Sequence, residues 1–179
     1  PADGRQHREK RPPEETAHHR APLRAPVIPS MPPLVPSPPV EGKTRFHDLS
    51  IRPELLAAIQ DLGFEYCTPI QAQSLPILLK GADLTGKAQT GTGKTAAFLI
   101  ATFNRFLNNR EIQRKPGTCR AIVLAPTREL AMQIHKDAEA IGKYCGFSNL
   151  VVFGGMDYKE QRAALSHPVD LLVGTPGRL

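Results

Sequence analysis

The sequence predicts an α/β domain with a parallel sheet flanked by helices, and three observations carry that prediction. From Phe46 onward, short apolar runs alternate with segments of helical periodicity. Several of the runs end in turns rich in glycine or proline, the punctuation expected between strand and helix. One of those turns, residues 88–95, sets two glycines and a lysine between a predicted strand and a predicted helix. Strands that alternate with single helices pair in parallel through right-handed crossovers.

The amino-terminal residues 1–45 have a different texture. Of the 18 prolines in the 179-residue chain, 11 lie between Pro1 and Pro39. Proline removes backbone donors and is barred from helix interiors, so this stretch is expected to be a disordered or polyproline-like arm. Its P-x-x-P spacings, Pro33/Pro36 and Pro36/Pro39, match those of SH3 ligands, although the composition favours a solvated linker. His18-His19 is read as arm composition rather than a metal site. Residues 46–179 are the expected folding unit, long enough to bury a real core.

Within that unit the elements follow in order. Residues 53–62 read as a helix, with Pro53 as start signal, Leu55, Leu56, Ile59 and Leu62 on one face, and Gly63 as stop. Thr68-Pro69 opens a second helix to about Leu79, closed by Gly81 and kinked by Pro76. A strand over 83–87 leads into the glycine-rich turn and a helix over 94–107, followed by a polar loop over 108–117. The run 121–125 is the kind expected of a strand buried on both faces. A helix over 128–144 carries Leu130, Ile134, Ala138 and Ile141 on one stripe. A strand over 150–153, a helix over 158–165 and a strand over 170–173 complete the alternation.

Composition excludes several classes. The apolar runs around 96–101 and 121–125 are far shorter than the roughly 20 residues that span a bilayer, and no apolar stretch precedes a cleavage site at the amino terminus. No membrane association is expected. Cys67, Cys119 and Cys145 are odd in number and lack C-x-x-C spacing, against a disulfide framework or a zinc module. Reduced thiols in a cytoplasmic protein are expected. The net charge of +6, divided equally between arm and remainder, suits an anionic partner such as nucleic acid, with no polybasic block in either part.

The sharpest local signal is Ala88-Gln89-Thr90-Gly91-Thr92-Gly93-Lys94-Thr95. Gly91 and Gly93 allow a tight turn that aims successive N–H groups at one anion, and the helix that follows adds its positive dipole end. Lys94 would reach the outer phosphates, and the Thr95 hydroxyl would ligate Mg²⁺. Ala88 stands where glycine is usual. Small-x4-Gly-Lys-Ser/Thr arises by chance in about one chain in a hundred of this length, before strand and helix context is required.

A second signal, Thr68-Pro69-Ile70-Gln71, leaves two readings open. It is a capping box, in which Gln71 satisfies its own helix terminus. It is also an amide placed to donate and accept on an adenine edge. Three further loops each follow a predicted strand: Pro126-Thr127-Arg128-Glu129, Gly154-Gly155 and Thr175-Pro176-Gly177-Arg178. In a parallel sheet all strand carboxyl ends share one edge, so these groups are expected together, suited to a sugar–phosphate backbone.

Taken jointly, Gly-Phe-x3-Thr-Pro-Ile-Gln, Ala-Gln-Thr-Gly-Thr-Gly-Lys-Thr, Pro-Thr-Arg-Glu-Leu-Ala, Gly-Gly and Thr-Pro-Gly-Arg resemble the first RecA-like domain of a DEAD-box RNA helicase. The resemblance covers residues 46–179, with Phe46 seventeen positions before Gly63 as in that family. The spelling of 66–72 and 152–157 is most similar to the bacterial RhlB branch. The resemblance implies that Phe46 stacks on adenine and Gln71 reads its edge. It implies that Thr90, Gly91, Thr92, Gly93, Lys94 and Thr95 hold ATP and Mg²⁺, with Lys94 and Thr95 in the catalytic machinery. It also implies that Thr127, Arg128, Gly154, Gly155, Thr175 and Arg178 line single-stranded RNA. An RNA-degradosome endoribonuclease partner and a monomeric state follow from the same likeness.

The sequence contains no Asp-Glu-Ala-Asp motif; in the family it follows the position of Leu179, as do the Ser-Ala-Thr motif and a second domain. An amino-terminal fragment with an unfinished sheet, inactive alone, is therefore expected. Two rivals are another phosphate-loop NTPase and a non-catalytic RNA or protein adaptor acting through the arm.

Overall fold

The computed structural model describes residues 27–109, 115, 117–155 and 158–179. His18-His19, the first part of the arm, most of the polar loop and Met156-Asp157 lie outside the described residues. The regular elements are α1 (Pro53–Asp61), α2 (Pro69–Leu78), α3 (Lys94–Asn108), β1 (Cys119–Leu124), α4 (Arg128–Ile141), β2 (Asn149–Val152), α5 (Tyr158–Ala164) and β3 (Val169–Gly174). From β1 onward the expected alternation is present, with helix ends within a few residues of the sequence reading.

The three strands form one parallel sheet in the order β1-β3-β2. Leu124 of β1 and Val152 of β2 both pair with Gly174 of β3, so all three carboxyl ends finish level. The ladder continues one step beyond, through Ala125 N–H to the Gly174 carbonyl and Thr175 N–H to the Val152 carbonyl. A Cβ at Gly174 would stand 2.9 Å from Val152 Cγ2 and 2.7 Å from Leu179 Cδ1. A side chain there would require Val152 and Leu179 to shift.

Two strand expectations need correction. The run 121–125 was expected to be buried on both faces, but Ile122 and Leu124 are 57% and 63% exposed. β1 is an edge strand among the described residues; the doubly covered strand is β3, all six of whose residues are buried. The strand expected over 83–87 is absent: residues 82–89 run without ladder or helix, with Leu84 exposed. A strand exists only with a hydrogen-bonded neighbour, and no described strand lies beside this segment.

The core is built around α3. Leu99, Ile100, Phe103 and Phe106 meet Leu55 and Ile59 of α1, Leu75 of α2, Ile134 and Ile141 of α4, and Leu171 and Val173 of β3 in one cluster. Asn104, on the same helix, is buried but fully used. Its Oδ1 accepts from Arg52 N–H at 2.8 Å and its Nδ2 donates to the Ser50 carbonyl at 3.1 Å. It thereby fixes the entry into α1, which begins with Pro53 at its first position.

Residues 27–45 contain no helix or strand, as their prolines require, yet they are not a free arm. Val35 N–H donates to Gln60 Oε1, and Gln60 Nε2 returns a bond to the Pro33 carbonyl. Side-chain and backbone partners on α1 and residues 63–67 hold this stretch in place where composition alone predicted solvation.

Replacing Asn104 by Leu would leave the Arg52 N–H and the Ser50 carbonyl, at part-buried bonds, without their partner. The expected cost is about 2–4 kcal/mol of unfolding free energy, measurable by urea titration.

Candidate functional site

The glycine-rich turn packs directly on the first turn of α2. Thr68 caps α2 and forms the full capping box with Gln71: Thr68 N–H donates to Gln71 Oε1, and Gln71 N–H donates to Thr68 Oγ1. The same two side chains then reach across to the loop. Thr68 Oγ1 donates to the Thr92 carbonyl at 2.8 Å, and Gln71 Nε2 donates to the Gly93 carbonyl at 3.2 Å. Gln71 is 3% exposed, and each end of its amide is held by one of these contacts. Of the two readings left open by the residue types, the capping box is present; the structure adds a clamp on the phosphate-type loop that neither reading contained.

The loop itself is compact. Gly93, at φ +91°, is the residue preceding α3, in the left-handed region that glycine alone enters cheaply. A Cβ there would collide with Gln71 Nε2. Lys94 Nζ donates to the carbonyls of Ala88 and Gln89, and Thr92 Oγ1 donates to the Gln89 carbonyl. The lysine charge is thus held at the loop's own mouth, against the amino terminus of α3. An open cleft of about 690 Å³ is lined by Gly91, Gly93, Lys94 and Thr95 together with a larger set of apolar side chains, among them Phe64, Phe98, Val123 and Ile134. Thr90 borders it as well. Of the six loop residues picked from the sequence, Thr90, Gly91, Gly93, Lys94 and Thr95 border this cleft, and Thr92 is bonded back to Gln89.

Phe46 is placed otherwise than expected. It begins a short 3₁₀ turn, Phe46–Asp48, that directs the ring inward, where it joins the core cluster with 1% of its surface accessible. No ring face is available for stacking on a base. Arg45 and Asp48 bracket the turn as an ion pair, which holds the Asp48 carboxyl below the usual carboxylate range. Burial, with the Asp48 carboxylate nearby, pushes the Cys67 thiol up to about 11.

The three loops after the strands do come together. Thr127 caps α4, its Oγ1 accepting from Leu130 N–H at 3.3 Å. Arg128, the first residue of α4, lays its guanidinium over the Phe153 ring at 5.1 Å, and a Cβ at Gly155 would stand 3.9 Å from its Nη1. Thr175 is hydrogen-bonded to β2 through its N–H and accepts Arg178 N–H at its carbonyl. Gly154 and Gly155 are exposed beside them. The level ends of the sheet thus put two arginines, two hydroxyl residues and a glycine pair along one edge.

Sequence reasoning missed three contributors. Thr68 was read only as a cap, although its hydroxyl also holds Thr92. Phe153 was read as strand, although its ring carries Arg128. Gln161, on the short α5, donates from Nε2 to the Phe153 carbonyl at 3.1 Å and so steadies the loop of Gly154. A solvent-type residue in a helix gives no warning of such a role; Thr68 could have been found from its place beside the loop in a paired motif.

Gly91 also has a positive φ, +77°, but open space around it. Gly93→Ala should therefore destabilise the chain more than Gly91→Ala, with an excess on the order of 1–2 kcal/mol in thermal or urea unfolding. Equal costs would show that Gln71 yields freely.

A family model described as DEAD/DEAH box helicase matches residues 68–179, from the capping threonine to the end of the chain. The chain is 52% identical over 137 residues to the ATP-dependent RNA helicase RhlB of Idiomarina loihiensis, covering 76% of this chain and 32% of that protein. It is 54% identical over 136 residues to RhlB of Shewanella frigidimarina, covering 75% and 31%. It is also 54% identical over 143 residues to RhlB of Pseudomonas aeruginosa, covering 79% and 36%. The chain spans about a third of the length of these curated relatives. A match over most of its folded part, with the clamp and the loop edge in place, makes this chain a member of the DEAD/DEAH box helicase family.

Proposed function

We propose that the chain forms the nucleotide site, and one wall of the RNA path, of an ATP-dependent RNA helicase that opens short RNA duplexes during RNA processing or decay. Residues 1–45 are then an amino-terminal arm and residues 46–179 belong to the first RecA-like domain. The observation that carries the reading is the bond from the Gln71 amide to the Gly93 carbonyl, which joins a base-reading side chain to a phosphate-type loop.

A glycine-lined turn at a helix amino terminus, with a lysine beside it, suits a triphosphate. Backbone N–H groups of residues 90–95 face the phosphates, and Lys94 exchanges the carbonyls of Ala88 and Gln89 for β- and γ-phosphate oxygens. That exchange is favourable because an ammonium–phosphate bond joins opposite charges. Among the described residues no group of three or more His, Cys, Asp or Glu could hold a metal ion. Mg²⁺ fits here as an ion carried on the phosphates, with Thr95 as its hydroxyl ligand. When bound, it neutralises charge on the transferred phosphoryl group. Gln71 reads adenine with the second lone pair of Oε1 and the second N–H of Nε2, keeping its bonds to Thr68 and Gly93.

Thr127, Arg128, Gly154, Gly155, Thr175 and Arg178 contact the backbone and 2′-OH groups of single-stranded RNA, without base preference. The names of the relatives support both ligands. Lys94 and Thr95 are the catalytic groups this chain supplies. With no Asp-Glu-Ala-Asp in its 179 residues to position water and metal, the polypeptide alone is expected to hydrolyse no ATP. No helix of the described residues is long and apolar enough to cross a membrane; we place the protein in the cytoplasm as a monomer, with a degradosome endoribonuclease as partner.

Titration of the full chain with ATP and GTP tests the reading. Lys94→Ala should weaken ATP binding about tenfold or more, and Gln71→Ala should erase the preference for ATP over GTP. Normal binding by Lys94→Ala would refute the phosphate role, and an intact preference in Gln71→Ala would refute adenine reading.

A further inference from the structure

We infer that residues 33–45 are a positioning strap of the nucleotide site, setting ATP affinity through Tyr66 and Thr68. This rests on the reading that residues 90–95 hold ATP phosphates.

The strap is tied down at both ends and in the middle. At its start, Gln60 uses its whole amide on it, accepting from Val35 N–H at 2.8 Å and donating to the Pro33 carbonyl at 3.1 Å. In the middle, Tyr66 OH donates to the Pro38 carbonyl at 2.9 Å, and Arg45 Nη1 reaches back to the Ser37 carbonyl at 3.2 Å. At its end, Arg45 and Tyr66 form an antiparallel bridge, Cys67 N–H donates to the Thr44 carbonyl, and Lys43 Nζ stands 4.8 Å from the centre of the Tyr66 ring.

What the strap grips is the significant point. Tyr66 and Cys67 immediately precede Thr68, whose hydroxyl holds the Thr92 carbonyl. Strap, Tyr66, Thr68 and phosphate loop are therefore one continuous series of bonds. The described polar contacts of residues 33–45 fall within the strap itself, on its own following turn at Asp48, on α1 and on residues 66–67; none falls on the loops after the strands. The strap is thus coupled to nucleotide and not to RNA.

The prolines acquire a reason in this account. Pro33, Pro36, Pro38 and Pro39 restrict the unbound segment, which lowers the entropy lost when it is laid down. A composition read as a linker is also what a docked, ladder-free strap needs. Coupling between strap and loop is reciprocal by thermodynamic necessity: nucleotide that fixes the loop must also hold the strap more tightly.

The test uses the full chain carrying Gln60→Leu with Tyr66→Phe, changes that remove three strap bonds and touch neither loop. Fluorescent ATP titration should show affinity about 3- to 10-fold weaker, with single-stranded RNA affinity within about twofold of the unsubstituted chain. In the unsubstituted chain, ATP should slow hydrogen exchange at the Val35 amide. A folded double variant with unchanged ATP affinity overturns the strap while leaving the loop reading intact. So does Val35 exchange that ignores ATP, a measurement that needs no variant to fold. A folded unsubstituted chain that binds no ATP overturns both.

Discussion

The Thr68–Gln71 pair, at the start of one helix, holds the carbonyls of two consecutive residues at the start of another, and the site is arranged around that clamp. A loop built from two glycines and three threonines has many conformations and little to bury. What confines it is an external hydrogen-bonding partner with no freedom of its own. Thr68 and Gln71 have none to spare, since each also completes the capping box that starts α2. α2 in turn packs on α3 through Leu75, so the clamp, the loop and the helix dipole behind it share one rigid base.

The second constraint is the parallel register. Because Leu124, Gly174 and Val152 lie level, the three loops that follow them share one edge. There Phe153 supports the Arg128 guanidinium, and Gly155 beside it takes φ +89°, a left-handed conformation that favours glycine. The contrast between strands follows from the same topology. β3, paired on both sides, is wholly buried, whereas β1 has one unpaired edge and shows Ile122 and Leu124 to solvent.

Much of this was legible in the sequence because local signals and fold agreed. The α/β alternation, the helix starts at Pro53, Pro69 and Lys94, and the gathering of Thr127, Arg128, Gly154, Gly155, Thr175 and Arg178 follow from periodicity, turn chemistry and the rule for parallel sheets. The failures share one cause: burial is decided by neighbours. The apolar run 121–125 promised a central strand, but only pairing order makes a strand central. The segment 83–87 promised a strand, but a ladder needs a partner. Phe46 carried an expectation of base stacking, yet its 3₁₀ turn drives the ring into the core. Residues 33–45 were discounted with the rest of the proline-rich segment, whereas Gln60 and Tyr66, distant in sequence, bond to Pro33, Val35 and Pro38 within them.

Hydrogen exchange of the loop amides at Gly91, Gly93 and Thr95 in Thr68→Val, compared with the unsubstituted chain, tests the clamp most directly. Loss of the bond to the Thr92 carbonyl should speed exchange there about fivefold or more, while amides around Phe103 in the core of α3 stay as they were. Loop amides that exchange at the same rate in both proteins would contradict the account, because the loop would then hold its shape without α2.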